Sequence, residues 1–226
     1  MVEIVYYVAM SLDGFIATLD GGIDWLPRLD PEGEDFGYRA FYDSVDGLIM
    51  GRRTYDKVRR HAACPYPRKP CWVFTHRPLE GEPPEVIETS QPLTALIAEM
   101  ERYKLKRIFL VGGGQLASQF QRQGLIAEYS IGLVPAILGS GVPLFAGPGE
   151  FEKLMLLDTR SFATGEVLMR YRRSALNPPR VKAIPPAIMR HLRQPNEAVV
   201  AGREPEEVEV GTSSGLFEAG PRDGEA

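Results

Sequence analysis

Cysteine is almost missing from this chain, with only Cys64 and Cys71 among 226 residues. Two thiols are too few for a disulfide framework, and they lack the spacing of a metal site, so no metal is expected. Cys71 opens an apolar run and reads as a small core residue, whereas Cys64 sits in a proline-rich loop. Excess positive charge is missing as well: 26 Lys and Arg stand against 30 Asp and Glu, a formal net charge of -4. A general nucleic-acid binder needs a basic face to neutralise phosphates, so that class is set aside. No stretch approaches the roughly 18–20 apolar residues that span a bilayer. No basic leader or cleavage site precedes the first β-prone run. A cytoplasmic protein with neither membrane nor nucleic-acid partners is the expectation.

What remains is enough for a globular core, with 44% hydrophobic and 25% charged residues. Residues 1–173 alternate short apolar runs with helical patterns. Strands are expected at 2–9, 47–50, 71–75, 107–111 and 126–134, and helices at 34–44, 52–61, 93–103 and 115–123. Ser90 is the expected N-cap of the third helix, where Leu93, Leu96, Ile97 and Met100 recur on one face. Residues 154–158 and 166–171 read as an antiparallel hairpin around Ala163, Thr164 and Gly165. Repeated strand–helix–strand units imply an α/β fold with a mostly parallel central sheet, and the C-terminal hairpin adds an antiparallel edge. Residues 174–226 differ in character. They are rich in Pro, Gly, Glu and Arg, and Pro178-Pro179 and Pro185-Pro186 exclude a regular helix across them. A solvated, partly disordered extension is expected there, with a partner-binding arm as the alternative.

Three junctions carry chemistry. At the first, a buried strand delivers Gly51, and the next helix opens with Arg52, Arg53 and Thr54. Helix N-termini present unpaired N–H groups and suit phosphates. Cations are misplaced at that end unless an anion joins them, although both arginines could simply point into water. At the second, Thr75, His76 and Arg77 follow a strand and suit a 2′-phosphate; an ordinary polar loop is the alternative. At the third, Gly112, Gly113 and Gly114 lie between an apolar strand and an amphipathic helix that begins Gln115-Leu116-Ala117. Glycines there let the backbone approach a pyrophosphate closely. The same run matches the G-x-G-x-x-A fingerprint, but it comes late in the chain and Gly132 stands where the acid should be, so a standard Rossmann domain is the weaker reading.

In this order the motifs resemble the dihydrofolate reductase superfamily, with Met50-Gly51-Arg52-Arg53-Thr54 and then Gly112-Gly113-Gly114. The opening Ala9-Met10-Ser11-Leu12-Asp13-Gly14-Phe15-Ile16-Ala17 is similar to the reductase domain of riboflavin-biosynthesis proteins. So is Gly139-Ser140-Gly141-Val142-Pro143-Leu144-Phe145. The resemblance covers residues 1–173 and implies a three-layer dihydrofolate-reductase-like fold and NADPH as cofactor. It implies that Arg52, Arg53 and Thr54 contact phosphates, that Thr75, His76 and Arg77 select NADPH, and that Gly112 to Leu116 underlie the pyrophosphate. Ala9, Ile16 and Trp25 would frame the nicotinamide. Relatives with such a hairpin pair as homodimers, which is expected here.

The family also uses one carboxylate to grip the substrate and assist its protonation. Counting from Trp25 selects Asp30; counting back from Gly51 selects Asp35, which could equally be a helix-start carboxylate. Asp13 and Asp24 are further candidates, Asp13 also fitting a loop role beside Gly14. Phe41 and Tyr55, with Trp25, would wall a planar substrate. No zinc deaminase pattern is present, and the Asp-Pro-x-Leu-Thr segment of the riboflavin-type reductase is replaced by residues 51–56. The implied activity is hydride transfer to a pterin-like or ribosylated pyrimidine. A non-catalytic NADP-binding protein and an interaction protein acting through the tail are the competing readings.

Overall fold

The computed structural model describes residues 1–27, 34–61, 66 and 68–176. Asp30, Cys64 and most of the C-terminal extension lie outside them. The described elements run β1 (Glu3–Ser11), β2 (Phe15–Ala17), α1 (Tyr38–Asp43), β3 (Gly47–Gly51), α2 (Arg52–His61), β4 (Cys71–Phe74), β5 (Val86–Thr89), α3 (Leu93–Arg102), β6 (Arg107–Gly112), α4 (Gly114–Arg122), β7 (Ile126–Val134), β8 (Val142–Pro143), β9 (Leu154–Ser161) and β10 (Val167–Arg173). Eight strands form one sheet in the order β5-β4-β3-β6-β1-β7-β10-β9, and β2 pairs with β8 apart from it. Every pairing from β5 to β7 is parallel, and β10 and β9 close the edge antiparallel.

Strand alternation divides the core in two, because successive side chains leave a strand on opposite faces. Ile4 and Tyr6 of β1, Ile49, Trp72, Ile108 and Leu110 pack on one face with Leu96 and Met100 of α3 and Ala117 and Phe120 of α4. Leu48, Met50, Val73 and Phe109 pack on the other, with Tyr55 of α2 and with Tyr7, Tyr38 and Phe41 around α1. A sheet buried on both faces reads as continuous apolar runs, as these strands do. The α/β fold with helices on both sides of a mostly parallel sheet and an antiparallel terminal hairpin follows directly.

Three local expectations need correction. The helix expected at 34–44 is confined to Tyr38–Asp43, because Gly37 at φ 81° and Phe36 at φ 55° are left-handed and cannot join a right-handed helix. Ser90 does not cap α3; Pro92 precedes its first residue with an extended backbone and no side-chain cap. Proline presets that entry and brings no N–H of its own needing a partner. Strands β2, β5 and β8 were not expected, since two to four residues carry too little alternation to register.

A buried carboxylate ties the parallel part of the sheet to the hairpin. Glu128 of β7, 3% exposed, accepts from Arg107 Nη2 at 3.2 Å and from Arg170 Nε and Nη2 at 3.1 and 3.0 Å. Removing the carboxylate leaves Arg107, 22% exposed, with the longer pair to Glu3 and Arg170, 39% exposed, in reach of water. Glu128→Ala is therefore expected to cost about 1–3 kcal/mol, the value of hydrogen bonds to a charged group rather than of a stranded buried charge, read as a fall in the guanidinium midpoint. A midpoint within error of wild type would show that solvent compensates both arginines.

Candidate active site

The three glycine and arginine junctions converge because β4, β3 and β6 are neighbours and run the same way. Their C-terminal ends share one edge of the sheet, the edge at which open α/β sheets bind ligands. Two hydrogen bonds join the loops. Thr54 Oγ1 accepts from the Gly113 N–H at 3.1 Å, linking the start of α2 to the start of α4. Arg52 Nη1 donates to the carbonyls of Arg77 and Pro78, both at 3.4 Å, linking α2 to the loop after β4. Thr75 folds that loop tightly: its hydroxyl donates to the Arg77 carbonyl at 2.7 Å and accepts from the Arg77 N–H at 3.1 Å.

Both helices reach this edge with their N-termini, and neither has an acid in its first turn. Gly113, at the N-cap of α4, supplies no side-chain acceptor. The dipoles and first-turn N–H groups therefore favour an anion. Backbone shape agrees. A Cβ on Gly51 would meet only the Gly112 carbonyl, at 3.8 Å, so space above it is open. Gly112 has φ 105°, a conformation that disfavours side chains, and a Cβ there would press on the Tyr6 ring at 3.3 Å. Gly114 is packed differently: a Cβ would collide with the Pro143 carbonyl, so the segment carrying β8 sits directly against α4.

The arginines behave less simply than the sequence implied. Arg52 turns along its helix to Asp56, 2.7 Å away, and so does not leave its charge facing the helix terminus. Arg53 is exposed and has no ion-pair or hydrogen-bond partner among the described residues. His76 and Arg77 are exposed at the same rim, as is Gln115, whereas Leu116 is buried in the core.

Beside this edge the sheet has a low floor. Ala9 of β1 lies opposite Gly132 of β7, and a Cβ on Gly132 would meet little besides Ala9, at 3.8 Å. Ile16 lies on β2, whose pairing with β8 borders the region. At its α1 side the floor is bounded by Tyr7 and the turn at Asp35 and Phe36. Tyr7 stacks on Phe41 at 4.3 Å and donates from its hydroxyl to the Phe36 carbonyl at 3.3 Å. Phe36 in turn meets the edge of Phe162, at the hairpin, at 5.0 Å. Tyr7 was not singled out from the sequence, although strand alternation already places it on the face of Ala9.

The carboxylates separate clearly. Asp35 accepts from the Gly37 N–H at 2.8 Å and the Arg39 N–H at 3.0 Å. Partial burial pushes its carboxyl upward, but those amides and the Arg39 charge outweigh this and hold it below the usual carboxylate range. Asp13 is a loop clamp: it accepts from the Ser11 hydroxyl at 2.6 Å and from the Leu138 and Gly139 N–H groups at 3.1 and 2.7 Å. Asp24 is exposed. Trp25 is half-buried, and its indole Nε1 has no acceptor among the described residues. Tyr55 forms no pocket wall. It is 1% exposed beneath α2, where its hydroxyl donates to Glu82, which is also paired with Arg59.

The Asp35 contacts set a pH dependence. A carboxyl whose pKa is lowered on folding stabilises the fold above its unfolded value, about 3.9, and loses that contribution as pH falls through the lower folded value. The Gly37 and Arg39 amides are expected to keep their hydrogen-exchange protection at neutral pH and to lose it below about pH 4. Asp35→Ala should lack protection at every pH. Equal protection in the variant would assign the turn to backbone geometry alone.

Sequence and structure comparisons agree with this architecture. The model of the RibD C-terminal domain family matches residues 2–169. "Uncharacterized protein YwjB" of Bacillus subtilis (strain 168) is 39% identical over 159 residues, covering 70% of this chain and 91% of that protein. A crystal structure named "Putative riboflavin biosynthesis protein", from Shewanella sp. PV-4, superposes with a TM-score of 0.69 at 31% identity, covering 77% of this chain and 99% of that one. The Thermotoga maritima diaminohydroxyphosphoribosylaminopyrimidine deaminase/5-amino-6-(5-phosphoribosylamino)uracil reductase shares the fold, with a TM-score of 0.59 at 16% identity over 76% of this chain and 57% of that longer protein. The chain belongs to the RibD C-terminal domain family and has its dihydrofolate-reductase-like fold.

Proposed function

We propose that this protein is an NADPH-dependent reductase that delivers hydride to a pterin-like or ribosylated pyrimidine substrate. The observation that carries the reading is the convergence of the three junctions on one sheet edge, joined through Thr54, Gly113, Arg52 and Arg77. The residues fit a phosphorylated dinucleotide: two helix N-termini without acids, open space over Gly51, and hydroxyl and guanidinium groups at the rim. Arg52, Arg53, Thr54 and the turn from Gly112 to Gln115 would hold the phosphates, and Leu116 would anchor that turn in the core. Thr75, His76 and Arg77 would receive the 2′-phosphate. Ala9, Ile16 and Trp25 would frame the nicotinamide over the low floor at Gly132. The bound cofactor supplies the hydride; the chain binds, orients and excludes water. Asp35, held ionised, would accept from N–H groups of the substrate ring rather than donate a proton. The pyrimidine reductase activity in the name of the Thermotoga maritima relative favours the ribosylated pyrimidine.

One observation favours the second reading, a nucleotide-binding protein without turnover: both oxygens of Asp35 already accept from its own turn. An interaction role for the tail concerns residues outside those described. No helix among the described residues is long and apolar enough to cross a membrane; a cytoplasmic location belongs to the same reading. So does a homodimer. Edge strand β9 leaves Leu154, Met155, Leu156 and Leu157 37–58% exposed, and exposed apolar edges invite pairing. Light scattering at micromolar concentration should give twice the chain mass.

Titration with NADPH and NADH, followed by nicotinamide fluorescence and tryptophan quenching, tests the central assignment. NADPH is expected to bind much more tightly than NADH. Arg77→Ala should lose most of that preference, since a guanidinium–phosphate pair contributes about 1.5–3 kcal/mol, roughly ten- to a hundredfold in affinity. If neither nucleotide binds, the reductase reading falls.

A further inference from the structure

The excess negative charge of this chain is confined to one stretch of sequence. Residues 197–226 carry eight Asp and Glu against two Arg, so the formal net charge of -4 comes wholly from them. Four of these acids, Glu204, Glu206, Glu207 and Glu209, fall within six residues. The segment lies outside the described residues, and its chemistry calls for a basic surface.

Helix α2 presents one. It carries Arg52, Arg53, Lys57, Arg59 and Arg60 against a single acid, Asp56. An open groove of about 450 Å³ on its surface is lined by Arg52, Asp56, Arg59 and Arg60. Two of these arginines hold its shape. Arg52 pairs with Asp56 and reaches the carbonyls of Arg77 and Pro78. Arg59 pairs with Glu82 and donates to the carbonyls of Glu80 and Gly81, both at 3.4 Å. Arg60 is exposed and has no partner among the described residues. The same is true of Arg53, seven positions earlier and so on the same stripe of the helix. Seven helical residues rise roughly 10 Å. Six residues of extended backbone cover about 17 Å, enough to bring carboxylates to both guanidinium groups at once.

Reach is not limiting. Glu204 follows Leu176, the last described residue, by 28 positions. Such a length spans up to about 90 Å, whereas a domain of this size is about 40 Å across. Arg180, Lys182, Arg190 and Arg193 are cations nearer in sequence. The α2 pair has the advantage of standing at fixed spacing on a packed helix, which costs less to order.

We propose that residues 204–209 dock on the α2 groove of their own chain, with their carboxylates on Arg53 and Arg60, and so compete with phosphate anions for the start of α2. Docking stands apart from the reductase reading, and the competition with cofactor rests on it.

The test uses the full chain with Glu204→Gln, Glu206→Gln, Glu207→Gln and Glu209→Gln combined, compared with wild type by backbone amide NMR shifts. In about 20 mM NaCl the amides of residues 52–60 and 76–82 are expected to differ between the two proteins; in about 500 mM they should coincide, because exposed pairs are screened. A control with the same loss of charge, Glu197→Gln, Glu218→Gln, Asp223→Asn and Glu225→Gln, should match wild type there. Arg60→Glu should give the amides of 204–209 their high-salt positions in dilute salt. The variant lacking the four glutamates should bind NADPH about fivefold more tightly than wild type in dilute salt, as for a site otherwise open one-fifth of the time. The control should bind NADPH as wild type does. Amides of α2 that ignore the four substitutions, an equal response to the control set, or changes centred on residues 180–193 would each overturn the docking. Equal NADPH affinities in dilute salt would overturn the competition. If the shifts appear while NADPH binds neither protein, docking stands and the reductase reading alone falls.

Discussion

The structure depends on parallel pairing around β1. Strands β6 and β7 flank it in the same direction, and β3 and β4 continue outward from β6, so every βα turn opens at one edge. Parallel strands need long crossover connections, and the helices that make them cover both faces of the sheet. The burial that stabilises the core and the clustering of unpaired helix N–H groups are thus products of the same topology. Thr54 and Gly113 lie 59 residues apart in sequence and meet only because their strands are neighbours.

Charge at this edge is balanced locally rather than left in excess. Arg52 is turned to Asp56 and to two carbonyls, Arg59 to Glu82, and Thr75 to the backbone of Arg77. These contacts organise the loop after β4 while Arg53 and Arg77 remain exposed at its rim. An anion arriving there meets a framed loop and pays less in ordering than it would at a slack one. The opposite side of the site is framed by aromatic packing, where Tyr7, Phe41 and Phe109 fix the turn that carries Asp35.

Much of the fold was legible in the chain. The apolar runs at β1, β3, β4, β6 and β7 and the glycine- or arginine-bearing junctions that follow three of them announced a parallel α/β sheet, because burial on both faces demands continuous apolar sequence. The bounds of α2 and β7 coincide with those read from the sequence. The start of α1 was misplaced since an aromatic at positive φ leaves no compositional trace; tertiary contacts to Tyr7 and Phe162 hold Phe36 there. Tyr55 was misassigned for a related reason. It directly follows the motif that ends at Thr54, but helix phase turns it inward, to Glu82.

The sequence by itself determined seven of the ten strands, the presence of the four helices and the residue types at those strand ends, because these follow from local periodicity and from backbone rules for glycine and proline. Tertiary structure alone decided which residues share a site. It joined three loops through Thr54 and Arg52, made Asp13 a clamp and Asp35 a turn acceptor, and set Tyr7 beside the latter. A side chain's chemical role depends on which groups surround it, and for these residues several of those groups come from distant parts of the chain.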